Sequence, residues 1–234
     1  MASASGEEPR VSGPGAPGES AHLCSRTRDA LLSWGPAFMA PALWAFTTFD
    51  QRLRWTSGLS DRLFGLFAAL YHDVCSMEGY GEALEQALLD QRGRPRTILD
   101  ISTGTGHAAR RLKRQYPEAE VIGVDISPEM IAIARHEALA ANLTIDFQEG
   151  DTADLPYEDG SFDLVALQNA MPFPEEMMRV LRPKGKVLII FSFGGPWIEA
   201  AWPGLAARLE QLGASHARGR RTGLGFYGVA RKRA

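Results

Sequence analysis

The chain predicts an α/β fold, and three observations carry that prediction. Short apolar runs recur along the chain from residue 97 onward, at Thr97–Ile101, Val121–Asp125, Phe162–Leu167 and Lys186–Phe193. The stretches between them have helical spacing, the alternation expected of a mostly parallel sheet with crossover helices. The first run also opens into a glycine turn, Ser102-Thr-Gly104-Thr-Gly106, followed at once by a helical segment. Glycines after a strand let the backbone turn sharply and let a ligand approach the main chain.

Taken in order, residues 1–20 hold four Gly, three Pro and four Ser and no apolar run. Such a composition cannot bury enough surface to offset chain entropy, so a disordered tail is expected. The basic start and apolar core of a signal peptide are both missing. Residues 21–93 read as an N-terminal helical cap. Ala30–Phe49 is a run of twenty uncharged residues, long enough to span a bilayer, but Gly35, Pro36 and Pro41 break it and arginines flank it on both sides. In Leu59–Val74 the apolar residues cover most of a helix surface, which calls for burial on several sides. Ten aromatic residues fall between Trp34 and Tyr80. Three readings are open for residues 30–75: a cap over an apolar acceptor pocket, a purely structural cap, and, ranked last, contact with a membrane surface or partner.

A helix is expected over Tyr80–Leu89, ending near Gly93, with Pro95 blocking its continuation. Residues 94–234 then form the α/β unit. After the first strand, a helix over His107–Gln115 places Ala108, Leu112 and Tyr116 on one face and four cations on the other. Val121–Asp125 is a second strand, and Ser127-Pro128 is an N-cap followed by proline at N1, opening a helix to about Ala141. Leu143–Gln148, Phe162–Leu167 and Lys186–Phe193 are strands three to five, with a short helix over Pro174–Leu181. A helix over Pro203–Leu212 and two strands, Ala214–Arg220 and Gly225–Arg231, close the chain. The last two make a hairpin about Thr222-Gly223, so one strand of the seven runs antiparallel.

The bulk numbers exclude several classes. A chain of 234 residues, 45% hydrophobic and 23% charged, supports one large domain with additions. A formal charge of −3 argues against a general nucleic-acid binder. Cys24 and Cys75 make no disulfide framework, and a reducing, cytoplasmic setting follows. Histidines at 22, 72, 107, 136 and 216 show no metal-ligand spacing, so no metal is expected.

The glycine turn alone fits a dinucleotide site, since Gly104-Thr-Gly106-His-Ala-Ala109 matches G-x-G-x-x-G/A. Asp125, at the end of the second strand, suits a ribose acceptor in NAD sites as well. Three features point elsewhere. Asp100 stands only four residues before Gly104, and a further acidic site follows the third strand in Gln148-Glu-Gly-Asp-Thr152. The terminal hairpin is the third. Carboxylates beside the glycine turn would repel a pyrophosphate but suit a ligand with an ammonium and a sulfonium.

On these residues the chain resembles the class I S-adenosylmethionine-dependent methyltransferases, in the form of their small-molecule members. Ile98-Leu-Asp-Ile-Ser-Thr-Gly-Thr-Gly106 looks like the first motif and Gly123-Val-Asp-Ile-Ser-Pro-Glu-Met130 like the second. Gly150-Asp-Thr-Ala-Asp-Leu-Pro156 with Asp159-Gly-Ser-Phe-Asp163 looks like the third, and Arg179-Val-Leu-Arg-Pro-Lys-Gly-Lys-Val187 like the lead into strand five. The resemblance implies a Rossmann-like, mostly parallel seven-stranded sheet with helices on both faces. It also implies S-adenosyl-L-methionine as cofactor. Asp100, Ser102, Gly104 and Gly106 would line its methionine end, Asp125 its ribose, and Ile126, Asp151 and Thr152 its adenine, with Gln168 or Asn169 beside the sulfonium. Two departures stand out: Ser102 replaces the family's usual glycine, and Asn169–Glu176 is shorter than usual.

The expected activity is methyl transfer to a small apolar or aromatic acceptor. A non-catalytic cofactor-binding protein and an NAD-linked oxidoreductase are the rivals. No catalytic base is identified; His72, next to Asp73, and Asn169 are the candidates. Asp100 has a second reading, as a carboxylate capping the following helix, and His107 one as a solvent-facing residue at that helix's start.

Overall fold

The computed structural model describes residues 79–234. The expectations for the tail, the aromatic stretch and His72 lie outside the described residues. Helix α1 (Glu82–Asp90) leads into β1 (Thr97–Ile101), α2 (His107–Gln115), β2 (Glu120–Asp125), α3 (Pro128–Ala140) and β3 (Asp146–Glu149). Then follow β4 (Phe162–Gln168), α4 (Pro174–Val180), β5 (Leu181–Phe191), α5 (Gly195–Gln211), β6 (Ala214–Thr222) and β7 (Gly225–Lys232). The seven strands form one sheet in the order β3-β2-β1-β4-β5-β7-β6. Strands β1 to β5 run parallel, and β7 is antiparallel to both of its neighbours, as the hairpin predicted.

Both faces of the sheet are buried, which is why its central strands read as unbroken apolar runs. Alternate residues serve opposite faces: Ile98, Leu164, Ala166, Leu188 and Ile190 pack with α1, α2 and α3. Leu99, Ile101, Val165, Leu167, Val187 and Ile189 pack with α4 and α5. Helix α1 belongs to this core through Leu84 and Leu88.

Three boundaries differ from expectation. Strand β3 begins at Asp146 because residues 141–145 serve the end of α3. Leu143 N donates to Ala138 O at 2.9 Å and Asn142 N to Leu139 O at 3.0 Å, with Asn142 at φ +54°, a helix stop of the Schellman kind. Strand β5 begins at Leu181, five residues early. Its register jumps from Phe162 opposite Leu181 to Leu164 opposite Lys186, so Pro183-Lys184-Gly185 bulges within the strand instead of preceding it. Helix α5 begins at Gly195 and runs through Pro203. Pro203 and Glu199, whose carbonyl loses its helical donor, both face solvent, where water substitutes for the missing bond.

Arg179 explains one of the sequence motifs. Its guanidinium bonds Tyr157 O at 2.6 Å and Leu155 O at 2.9 Å, and pairs with Glu176 at 2.7 Å and Asp159 at 3.0 Å. The segment between β3 and β4 is thereby clamped beneath α4.

Candidate functional site

Going outward from β1 in the sheet, the chain winds one way through β2 and β3 and the other way through β4 and β5. The crevice between the carboxyl ends of β1 and β4 is therefore a topological switch point, where open α/β sheets bind ligands. Most of the residues singled out in the sequence come together around it.

Asp100 is 1% exposed. Its Oδ2 accepts from Thr103 Oγ1 at 2.5 Å and from Ala109 N, in the first turn of α2, at 3.0 Å. The helix-capping role is thus real. Its Oδ1 is sealed from solvent and has no hydrogen-bond partner among the described residues. Burial, aided by the nearby Asp125 charge, pushes the Asp100 carboxyl up to about 7, against the pull of its two donors. Asp125, at the end of β2, accepts from Gly104 N at 2.7 Å and Ser127 N at 3.0 Å. Burial raises this carboxyl too.

The turn between β1 and α2 holds three residues in left-handed backbone: Ser102 (φ +50°), Gly104 (φ +54°) and Gly106 (φ +76°). A Cβ at Gly106 would come within 2.8 Å of the Phe147 ring, so this glycine answers both to conformation and to packing. Ser102 accepts the strained conformation without a hydrogen bond of its own among the described residues.

Ile126, beside Asp125, is 41% exposed, a large apolar side chain left open at the site's edge. Asp151 is exposed and caps its own turn, accepting from Ala153 N at 2.8 Å; Thr152 beside it is buried. Gln168 and Asn169 end β4. Gln168 Nε2 donates to Ser192 Oγ at 3.1 Å, and Asn169 bonds Ser192 twice.

Two residues of this cluster escaped the sequence reading. His107 does not simply face solvent: its Nδ1 lies 3.0 Å from Gln168 Oε1, and Tyr80 packs edge-on against its ring at 5.0 Å. Burial, the first cause, holds the imidazole below its usual range, with Arg110 and Arg114 adding to the effect and Gln168 opposing it. Its place directly after Gly106, one strand away from the end of β4, was the available signal. Ser192, 1% exposed at the end of β5, was announced by nothing in the sequence.

The arrangement discriminates between ligand chemistries. A pyrophosphate would need the free amides of the glycine turn and the helix start. Here Gly104 N and Ala109 N already donate to carboxylates. Three carboxylates at adjacent strand ends suit hydroxyls and cations. A shallow cleft of about 270 Å³ lined by Lys184, His216, Arg231, Lys232 and Arg233 lies at the opposite edge of the sheet, away from this crevice. Among the described residues no group of side chains has metal-binding composition, and no helix is long and apolar enough to cross a membrane.

Comparison with known proteins agrees with this geometry. Residues 98–185 match the model of a methyltransferase domain. The chain is 42% identical over 109 residues to the demethylmenaquinone methyltransferase of Deinococcus radiodurans, covering 44% of this chain and 45% of that protein. It is 34% identical over 173 residues to the malonyl-[acyl-carrier protein] O-methyltransferase of Halorhodospira halophila, covering 66% and 56%. The chain thus spans about half the length of the curated relatives it matches. Among solved structures it is similar in fold to a Haloferax volcanii methyltransferase bound to its activator, with a TM-score of 0.62 at 20% identity over 73% of this chain and 98% of that one. An S-adenosylmethionine-dependent methyltransferase from Aquifex aeolicus gives a TM-score of 0.54 at 20% identity over 65% and 90%.

Proposed function

We propose that this chain is a class I S-adenosylmethionine-dependent methyltransferase, as its match to a methyltransferase domain and its relatives support, and that it transfers the methyl group of S-adenosylmethionine to a small aromatic acceptor. The observation that carries the cofactor assignment is the pair of carboxylates, Asp100 and Asp125, seated on the amides of the glycine turn and helix start. They make the site hostile to a pyrophosphate and hospitable to ribose hydroxyls and an ammonium. In this reading Asp125 holds the ribose, since each of its oxygens keeps a lone pair after accepting one backbone bond. Ile126 lies on the adenine, Thr152 and Asp151 border its edge, and Ser102, Gly104 and Asp100 line the methionine end.

Bound S-adenosylmethionine supplies an electrophilic methyl group on a sulfonium. The chain's part is to hold the acceptor in line with that carbon and to exclude water. Gln168 and Asn169, at the end of β4, stand where such alignment is set. In this reading residues 30–75 cover the acceptor. The aromatic residues between Trp34 and Tyr80, and relatives named for methylating demethylmenaquinone and ajmaline, favour an apolar ring. One observation favours a binder without turnover: Ser102 brings a side chain to a left-handed turn where the family keeps glycine.

Calorimetry with S-adenosylhomocysteine and NADH tests the cofactor. Binding of the first alone, weakened at least tenfold by Asp125→Ala, is the expected result. Binding of NADH, or of neither, would overturn the proposal. Cofactor binding without methylation of any phenol, quinol or amine in a broad panel would favour the non-catalytic reading.

A further inference from the structure

The hydrogen bonds around Ser192 orient Gln168 against His107. Ser192 N can only donate, and it does so to Asn169 at 2.7 Å, so the atom it meets is Oδ1. The Asn169 Nδ2 group is then turned toward Ser192 Oγ, 2.9 Å away. The same hydroxyl takes a second bond from Gln168 Nε2 at 3.1 Å, which turns Gln168 Oε1 toward the imidazole. With Gln168 in this orientation its carbonyl oxygen meets the ring and only accepts, which assigns the proton to Nδ1 of His107. In the neutral ring the lone pair is left on Nε2.

That nitrogen has no hydrogen-bond partner among the described residues. That edge of the ring lies beside Gly81, where a Cβ would stand 3.8 Å from Nε2, and the glycine adds no side chain there. Tyr80 packs edge-on against the ring, and Phe193 packs edge-on against Tyr80 at 6.1 Å. The imidazole is the first residue of α2, and its bond to Gln168 spans the switch-point crevice from the β1 side to the end of β4.

We propose that His107 Nε2 is the base that takes the acceptor's proton, and that the acceptor is a hydroxyl-bearing aromatic ring, a phenol or quinol. This rests on the methyl-transfer reading above. The acceptor O–H bond breaks, with its proton passing to Nε2. The electron pair left on the ring oxygen, or delocalised to a ring carbon, forms the new bond to the methyl carbon. The carbon–sulfur bond breaks with its pair going to sulfur, and any hydrogen displaced from a methylated ring carbon leaves to water as a proton. The imidazolium likewise returns its proton to water. Gln168, Ser192 and Asn169 are positioning residues: they hold the Nδ1–H tautomer and the ring plane, and a fixed base of this kind contributes about 10²–10⁴-fold in rate.

The test uses the full chain with ¹⁵N-labelled histidine, saturated with S-adenosylhomocysteine, and His107→Gln to assign the signal. The expected resting state is a neutral ring protonated on Nδ1. Adding 1-naphthol should shift the Nε2 resonance, whereas 1-methoxynaphthalene, which has no proton to give, should not. S-adenosylhomocysteine should bind His107→Gln within about threefold of the wild type, and a phenol that is turned over should lose at least a hundredfold in kcat in that variant. An Nε2–H tautomer at rest, a naphthol that leaves Nε2 unmoved, or a tenfold loss of S-adenosylhomocysteine affinity would overturn the assignment. If the wild type fails to bind S-adenosylhomocysteine at all, the methyl-transfer reading itself falls, which calorimetry registers before any acceptor is added.

Discussion

Asp100 joins the fold to the site with two oxygens in different circumstances. Oδ2 caps α2, and Oδ1 is buried without a partner among the described residues. In an unfolded chain an aspartate titrates near 3.9. In the fold burial raises it to about 7, so through the interval between those values the folded state holds a proton that the unfolded chain has released. On this group's account stability is greatest at acid pH, falls as pH rises through that interval and levels off above it, by up to roughly 4 kcal/mol. Asp100→Asn keeps an acceptor for Ala109 N and removes the titration. Urea unfolding from pH 5 to 8 should show the wild type losing stability relative to the variant as pH rises. An equal trend in both proteins would assign the slope to other groups. The sequence made Asp100 conspicuous by its distance from Gly104, but not its divided role, because only the folded chain brings Ala109 N to one oxygen and none to the other. His107 was misread for a related reason: its partners, Gln168 and Tyr80, are distant in sequence and meet it only across the crevice.

Elements were legible wherever one local cause fixed them. Strand β1 and helix α2 fall on their expected residues, because an apolar run meets a glycine turn there. Ser127 caps α3 as its position before Pro128 indicated, its Oγ accepting from Met130 N at 3.2 Å. Two of the three misplaced boundaries, at β5 and α5, are those where proline was taken as lying at or before an element's start although a bulge or solvent accommodates it inside. The α5–hairpin contact also depends on something no local pattern announces. Trp202 packs across the face of the hairpin, over Gly219 and Gly228, and a Cβ at Gly228 would overlap its ring. Replacing a strand glycine by alanine ordinarily helps a sheet. At this position Gly228→Ala should instead cost about 2–4 kcal/mol by overpacking. Denaturant unfolding measures the loss, and tryptophan fluorescence reports whether Trp202 has lifted from the hairpin. A neutral or stabilising substitution would show that the ring has room to move.

At the scale of the whole molecule, the crevice separates the half of the sheet holding Asp100 and Asp125 from the half holding Gln168 and Ser192. A ligand spanning it ties the halves together and stabilises only the folded state. S-adenosylhomocysteine at a hundredfold excess over its Kd should therefore add about 2.7 kcal/mol to the free energy of unfolding. In Asp125→Ala, bound at least tenfold more weakly, the gain at the same concentration should fall to about 1.4 kcal/mol or less, as scanning calorimetry can check. The sheet as a whole was readable from the sequence, because its parallel strands are buried on both faces and their alternation with helices is regular. The strand order at the far edge was less so, since a hairpin can join a sheet by either of its strands.

That edge bears on how the chain is made. Strand β7 lies between β5 and β6, so the eight residues Gly225–Lys232 join β6 to the rest of the sheet. On a ribosome, β1 to β5 can assemble as they emerge, but β6 must wait, without a strand to pair with, for one not yet synthesised. Until then β5 presents a bare edge and Phe226 and Tyr227 are missing from the two cores. A nascent chain stalled or cut before Gly225 would therefore be a sheet of five strands with an open, apolar side, a substrate for chaperones and proteases.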